Sequence, residues 1–186
     1  MKKNTITAFF SAIILLFLAS CKFVVDDGGS GKGVYALRLA PGDISSWSED
    51  QVGGYTEFTA STLDGPGGIN GGAPYYTDEG MVEGFNQNLS NGSKKACIFV
   101  WDFGTAKNAS KMYTKKDGDN INKIGASGYS PSVARLDDSP SSGVVAYAHF
   151  GKYYIEISFT EFSDKSDARS TAVSFIEVFE TKISQL

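Results

Sequence analysis

The segment Ala96–Phe103 constrains the fold of this chain more than any other stretch. Its alternate residues form two sets that are both apolar: Cys97, Phe99, Trp101 and Phe103 on one side, and Ala96, Ile98 and Val100 on the other. A strand that is apolar on both faces must be covered on both faces. We therefore expect Ala96–Phe103 to be a central strand of a sheet with a layer packed against each side.

The residues after this strand predict a helix and then a hairpin. Gly104 ends the strand, and Thr105 is a good N-cap for a helix with apolar residues at helical spacing. The segments Val144–Phe150 and Tyr153–Phe159 flank Gly151-Lys152, which is typical of a tight turn between two strands. In the second strand we expect Tyr153, Ile155, Ile157 and Phe159 to face inward, and Tyr154, Glu156 and Ser158 to face outward.

The two ends of the domain complete the fold prediction. Tyr35–Leu39 and Met81–Leu89 each have the pattern of a strand, and a C-terminal amphipathic helix begins near Ser163. The mixture of strands and helices shows no regular βαβ alternation. We therefore predict one α+β domain over residues 34–186, with a mainly antiparallel sheet packed by helices.

The N-terminal 21 residues have the pattern of a bacterial lipoprotein export signal. Lys2 and Lys3 precede the apolar run Ala8–Ala19, and Leu18-Ala19-Ser20-Cys21 resembles a lipobox. We expect a signal peptide over residues 1–20, acylation of Cys21, and a flexible Gly/Ser/Asp-rich tether over residues 21–33. Lys22, by analogy with enteric lipoproteins, favours the outer membrane over the inner one. The alternative is an ordinary secreted protein whose signal happens to end near a cysteine.

Charge and cysteine content narrow the possible partners. The whole chain has a net charge of −4, so loss of the two leader lysines leaves −6. With this negative net charge we expect no continuous basic surface, and therefore no nucleic-acid partner. Cys97 is the one cysteine besides Cys21, which leaves no disulfide framework.

Five short motifs occur in order over roughly residues 55–160. They are Ile69-Asn70-Gly71-Gly72-Ala73, then Tyr76 and Gly80, Val100-Trp101-Asp102-Phe103-Gly104, Ile124-Gly125-Ala126-Ser127-Gly128-Tyr129, and Gly151-Lys152-Tyr153-Tyr154. Together they resemble an uncharacterised bacterial domain family of unknown function that is marked by an I-N-G-G-A motif. The chain departs from that pattern at Pro66-Gly67-Gly68, where an apolar helical lead-in is expected. The resemblance implies no established activity.

Two features are candidates for a ligand contact. The Gly67–Gly72 segment, which includes Gly71 and Gly72, can bring bare backbone N–H groups up to a carboxylate or a phosphate, with Asn70 as an added donor. The sequence favours the simpler interpretation, a tight turn with positive φ angles. Asp102, the one charge at the end of an apolar strand, either caps the helix that begins at Thr105 or faces a ligand, and the sequence favours capping.

Catalytic chemistry has little support in this sequence. Cys97 and His149 are the one nucleophile–base pair available, and each lies within a strong strand pattern, so we expect neither to be catalytic. A single histidine and the lack of a cysteine pair give no metal site, and no cofactor motif is present.

Three classes of function remain. The first, which we favour, is a lipid-anchored, non-catalytic binding or accessory module of the cell envelope, with an envelope protein, a glycan or a small ligand as partner. The second is a purely structural envelope lipoprotein. The third is a hydrolase, which the missing triad, acid pair and metal cluster make least favoured.

Overall fold

The computed structural model describes residues 33–65, 69, 72–117 and 123–186. The described chain begins with a 3-10 helix at Val34–Leu37 and then forms eight strands and three α-helices. In chain order these are β1 (Ser48–Glu49), β2 (Tyr55–Thr59), α1 (Ala73–Thr77), β3 (Glu83–Asn91), β4 (Lys94–Asp102), α2 (Ala106–Asp117), β5 (Lys123–Gly125), β6 (Ala134–Asp137), β7 (Val144–Phe150), β8 (Tyr153–Thr160) and α3 (Lys165–Ser184). The α+β class, the antiparallel sheet and the C-terminal helix are confirmed.

All eight strands belong to one antiparallel sheet. The strand order is β1-β3-β4-β8-β7-β6-β5, and β2 pairs with β3 alongside β1. The pairs Ala96–Phe159 and Ala96–Leu89 place β4 between β8 and β3. The prediction of a central strand is therefore confirmed.

The two faces of the sheet carry separate apolar clusters. On one face α3 buries Ala168, Ala172, Phe175, Ile176 and Phe179 against Ile98, Val100, Ile155 and Ile157. On the opposite face α1 and α2 bury Tyr76, Ala109, Met112 and Tyr113 against Trp101, Tyr147 and Tyr154. The sheet is therefore covered on both faces, which explains why β4 is apolar on both.

The helix ends and the hairpin follow the local sequence. The Thr105 side chain accepts a hydrogen bond from the backbone N–H of Asn108 at 3.2 Å, as an N-cap does. Asp164 caps α3 in the same way through the backbone N–H of Ser166. Gly151 turns the β7–β8 hairpin at φ 54, a left-handed conformation that glycine adopts without strain. In the described residues, no helix has the length and apolarity that a membrane crossing requires.

Two details of the sequence prediction are wrong. Tyr35–Leu39 is not a strand, because Val34 and Leu37 are buried three residues apart on one side of a 3-10 turn. Tyr154 does not face solvent, because α2 covers that side of β8 and leaves the ring fully buried. Strand alternation predicts which residues share a face, but it does not predict which face receives a second layer.

Candidate functional site

The glycine-rich motif lies only partly within the described residues. Asn70 and Gly71 are outside them, as are Cys21 and the leader. Gly72 directly precedes α1 and has φ −103 and ψ 0, so the expected positive φ is wrong at this position. The next residue, Ala73, donates its backbone N–H to the Asp64 carboxylate at 3.1 Å. The first backbone N–H group of α1 thus already has a partner within the protein, the Asp64 carboxylate.

Asp102 is bound at the end of β4 and does not cap α2. Its Oδ1 accepts the backbone N–H of Gly104 at 2.7 Å, and its Oδ2 accepts Lys152 Nζ at 2.5 Å. The preferred capping role is therefore wrong, since Thr105 performs it. The hydrogen bond to Asp102 also raises the pKa of Lys152. Both oxygens of this buried carboxylate are engaged, so Asp102 joins β4 to the β7–β8 turn.

Cys97 and His149 are far apart in the sheet. Cys97 aligns with Ser158 and Ser158 with Val145, so His149 lies two strands away and four residues further along β7. That spacing is about 14 Å along the strands and about 10 Å across them. Burial raises the pKa of the Cys97 thiol, and the His149 ring bonds the Ser132 carbonyl at 2.8 Å. The structure does not bring these two residues together.

Four stacked rings form the centre of the face that carries α1 and α2. We call them the aromatic stack: Tyr76, Phe99, Trp101 and Tyr154. The centroid of the Trp101 ring lies 4.8, 5.2 and 5.4 Å from the ring centroids of Tyr76, Phe99 and Tyr154. The angles between the ring planes are 17°, 10° and 23°. Offset stacking at these distances stabilises rings beyond their buried area. The stack therefore gives α1 and this face of the sheet a rigid common support.

Ion pairs tie α1 to α2 above the stack. Glu79, just after α1, binds Lys111 and Lys115 of α2 at 2.6 and 3.0 Å, and these hydrogen bonds lower the pKa of Glu79. Lys115 also donates to the Tyr75 carbonyl at 3.0 Å. The two helices are thus fixed to each other as well as to the sheet.

A buried guanidinium lies further along this face. Arg135 on β6 is 1 % exposed, and its Nη2 donates to the Tyr113 carbonyl at 3.0 Å. Its guanidinium carbon lies 4.0 Å from the Tyr113 ring centroid and 5.2 Å from that of Tyr147. Aromatic faces stabilise a cation in such an arrangement. The sequence does not indicate Arg135 as a site residue, because a single charge in a short strand gives no sign of burial.

Glu156 lies beside the aromatic stack, between Phe99 on β4 and Tyr147 on β7. Desolvation raises the pKa of its carboxyl group, and the Lys116 ammonium group, at 3.6 Å, partly opposes that shift. The Tyr154 hydroxyl donates to its Oε2 at 3.4 Å. Sequence analysis placed Glu156 on a solvent-facing side of β8. The covering helix α2, not the local pattern, determines its burial.

The pKa of Glu156 gives a prediction for stability. Below the ordinary glutamate pKa, 4.5, the group is protonated in both folded and unfolded chains and burial costs nothing extra. As pH rises from there through the raised pKa of the folded state, the unfolded chain ionises first and is thereby stabilised while the buried carboxyl stays protonated, so stability falls. We expect Glu156→Gln to be more stable than the parent at pH 7 and to lose that advantage as pH falls to 4. Urea unfolding across this pH range tests the prediction. Glu177→Gln, on the exposed side of α3, is the control. An advantage that grows on acidification would contradict the prediction.

A shallow open cavity of about 500 Å³ lies on the α3 side of the sheet. The Tyr129 hydroxyl at its edge already donates to Glu180 at 2.8 Å. Its lining is Gly128, Tyr129, Ser130, Val133, Glu177, Glu180 and Thr181. Within the described ranges, no group of three or more His, Cys, Asp or Glu side chains is placed to hold a metal ion.

Comparisons with known proteins give one fold relationship. No protein-family model matches this chain, and no curated protein matches it. The structure is similar to the crystal structure of the extracellular domain of PknH from Mycobacterium tuberculosis, with a TM-score of 0.52 and 11 % sequence identity. The match covers 80 % of this chain and 95 % of that one. At this identity the likeness concerns the fold alone.

Proposed function

We propose that this protein is a lipid-anchored, non-catalytic binding module of the bacterial cell envelope. Within that proposal it belongs to the I-N-G-G-A family and is held at the outer membrane by acyl chains on Cys21. The L-A-S-C motif supports the anchor. The likeness to the extracellular part of another bacterial protein agrees with a position outside the cytoplasm.

The observation that carries the binding role is the partly exposed end of the aromatic stack. Phe99 and Glu156 lie side by side on a central part of the sheet, and both side chains stay part-exposed. A structural lipoprotein has no need for a part-exposed aromatic ring beside a carboxyl group whose pKa is raised. Rigid aromatic rings with a few polar groups are typical of ligand sites.

A hydrolase is the second candidate, and Glu156 is the observation that favours it. A carboxyl group with a raised pKa suits a general acid. Acid–base hydrolysis of a glycosidic bond uses a second carboxyl group about 5 to 10 Å from the first. Glu156 belongs to a row of directly paired residues that crosses neighbouring strands of the sheet. The other residues of that row on β3, β4, β7 and β6 are Asn86, Phe99, Tyr147 and Arg135, and none of them carries a carboxylate. This arrangement supports binding over hydrolysis.

Co-purification from a detergent extract tests the binding role. The full-length chain is compared with Ser158→Lys, which places a bulky charged side chain beside Phe99 and Glu156. Ser174→Lys, on the exposed side of α3, is the matched control. We expect a partner molecule to co-purify with the parent and with Ser174→Lys, and to be absent from the Ser158→Lys preparation. Identical captured material from all three proteins would contradict a binding role for this face.

Lipid anchoring gives a prediction of its own. Two or three acyl chains hold a protein at a membrane far more stably than one. We expect Cys21→Ala to remain an unlipidated precursor that leaves the detergent phase, as measured by phase partitioning and by mass spectrometry. Cys97→Ala removes the other cysteine and should be processed like the parent. An acylated Cys21→Ala protein would overturn the anchor.

A further inference from the structure

One face of the Phe99 ring has no ring packed on it among the described residues. Trp101 lies two residues further along the same face of β4, and its ring is nearly parallel to that of Phe99, at 10° and 5.2 Å. Trp101 therefore covers one face of Phe99, and the other face points along the strand toward Cys97. Phe58 contacts Phe99 at an angle of 41°, from the β3 side. On this side the stack thus ends at a part-exposed phenylalanine ring.

Uncharged polar side chains surround that ring. We call them the polar strip: Thr56, Asn88 and Ser158, all part-exposed and all on this side of the sheet, with the part-exposed Cys97 thiol between Asn88 and Ser158. The hydroxyls of Thr56 and Ser158 form no hydrogen bond to another described residue, and Asn88 uses its amide nitrogen to bind Asn86 at 2.9 Å. From β2 to β8 the strip crosses three strand spacings, about 14 Å.

We propose that the polar strip and the part-exposed Phe99 ring bind an uncharged oligosaccharide. This inference rests on the proposed binding function and names its ligand class. A sugar ring has one apolar face of C–H groups, which suits Phe99, and a rim of hydroxyl groups, which suits amide and hydroxyl partners. Glu156, beside Phe99, supplies a carboxyl oxygen as acceptor for one further sugar hydroxyl.

Other ligand classes match this surface less well. An anionic ligand needs free cations, but Lys116 already pairs with Glu156 at 3.6 Å, and Lys95, two residues before Cys97 on β4, pairs with Asp50 at 2.6 Å. A cationic ligand needs free carboxylates, and that same pair neutralises Glu156. An acyl chain would leave the polar strip desolvated without hydrogen-bond partners, which costs free energy. A neutral ligand with many hydroxyl groups avoids all three costs.

Fluorescence titration of the full-length chain tests the inference. The chain has two tryptophans, so Trp47→Phe leaves Trp101, in contact with Phe99, as the sole tryptophan, and its emission is excited selectively over that of the tyrosines. The protein is held in a detergent without a sugar headgroup and titrated with tri-N-acetylchitotriose and with maltotriose. We expect saturable emission changes with at least one trisaccharide. Ser158→Lys should weaken its affinity roughly tenfold or more, as expected when an essential contact is lost, and Ser174→Lys should leave the affinity unchanged.

A second pair of variants removes the ring itself. Phe99→Ala should lose binding, while Phe150→Ala, a part-exposed phenylalanine on the α3 side, should keep it. If Phe99→Ala unfolds, the Ser158→Lys comparison still decides the matter. No saturable change with either sugar, or equal affinity in parent and Ser158→Lys, overturns the oligosaccharide assignment. The binding function survives that result if Ser158→Lys still loses a protein partner in co-purification, and it fails if nothing is lost there.

Discussion

Gly143→Ala should destabilise the domain by upwards of about 3 kcal/mol, more than most single-methyl additions cost. A Cβ built at Gly143 lies 1.8 Å from the Phe159 carbonyl oxygen and 2.8 Å from its carbonyl carbon. Both atoms belong to the backbone of β8, so no side-chain rotation can relieve the overlap. The variant must separate the start of β7 from β8, where Val144 pairs with Phe159.

Thermal unfolding followed by far-ultraviolet circular dichroism measures this cost. For a domain of about 150 residues, 3 kcal/mol corresponds to a fall in Tm of roughly 6 to 12 °C. Gly125→Ala is the matched control, because nothing lies within 4 Å of a Cβ built there. If both variants melt at the parent temperature, the close approach of residue 143 to β8 is wrong.

The sheet could be predicted from the sequence where the side chains of a strand show a clear two-residue repeat. The double apolar pattern of Ala96–Phe103 gave a central strand, and the turn at Gly151 gave the β7–β8 hairpin. The helix beginning after Thr105 followed from a capping residue and helical spacing. These features depend on interactions between residues that are near in sequence, which a pattern records directly.

The candidate site could not be predicted in the same way, because it depends on packing between distant elements. Glu156 has the alternation of a solvent-facing residue, and only the position of α2 desolvates it. The burial of Arg135 depends on Tyr113 from α2 and on Tyr147 from β7. Asp102 has the position of a helix cap, but Lys152, fifty residues later, takes one of its oxygens. No local pattern contains these long-range partners.

Trp101→Ala should have the other large effect, a loss of about 3 to 5 kcal/mol in the free energy of unfolding. Trp101 is 1 % exposed and lies in contact with three other rings of the aromatic stack. Removing the indole leaves a cavity between the sheet and α1, and the ion pairs of Glu79 with α2 restrain α1 from moving into it. Urea unfolding followed by circular dichroism measures the loss.

Trp101→Phe separates the ring from its polar group. The indole Nε1 is buried without a hydrogen-bond partner among the described residues, so phenylalanine removes an unsatisfied donor together with some volume. We therefore expect a cost of roughly 1 to 2 kcal/mol, well below that of alanine. Equal losses in the two variants would mean that the N–H, not the ring, stabilises this face. Because Trp101 supports the fold, its alanine variant cannot isolate a ligand contact. Phe99, whose ring is part-exposed, is the position at which a change in binding can be measured separately from a change in folding.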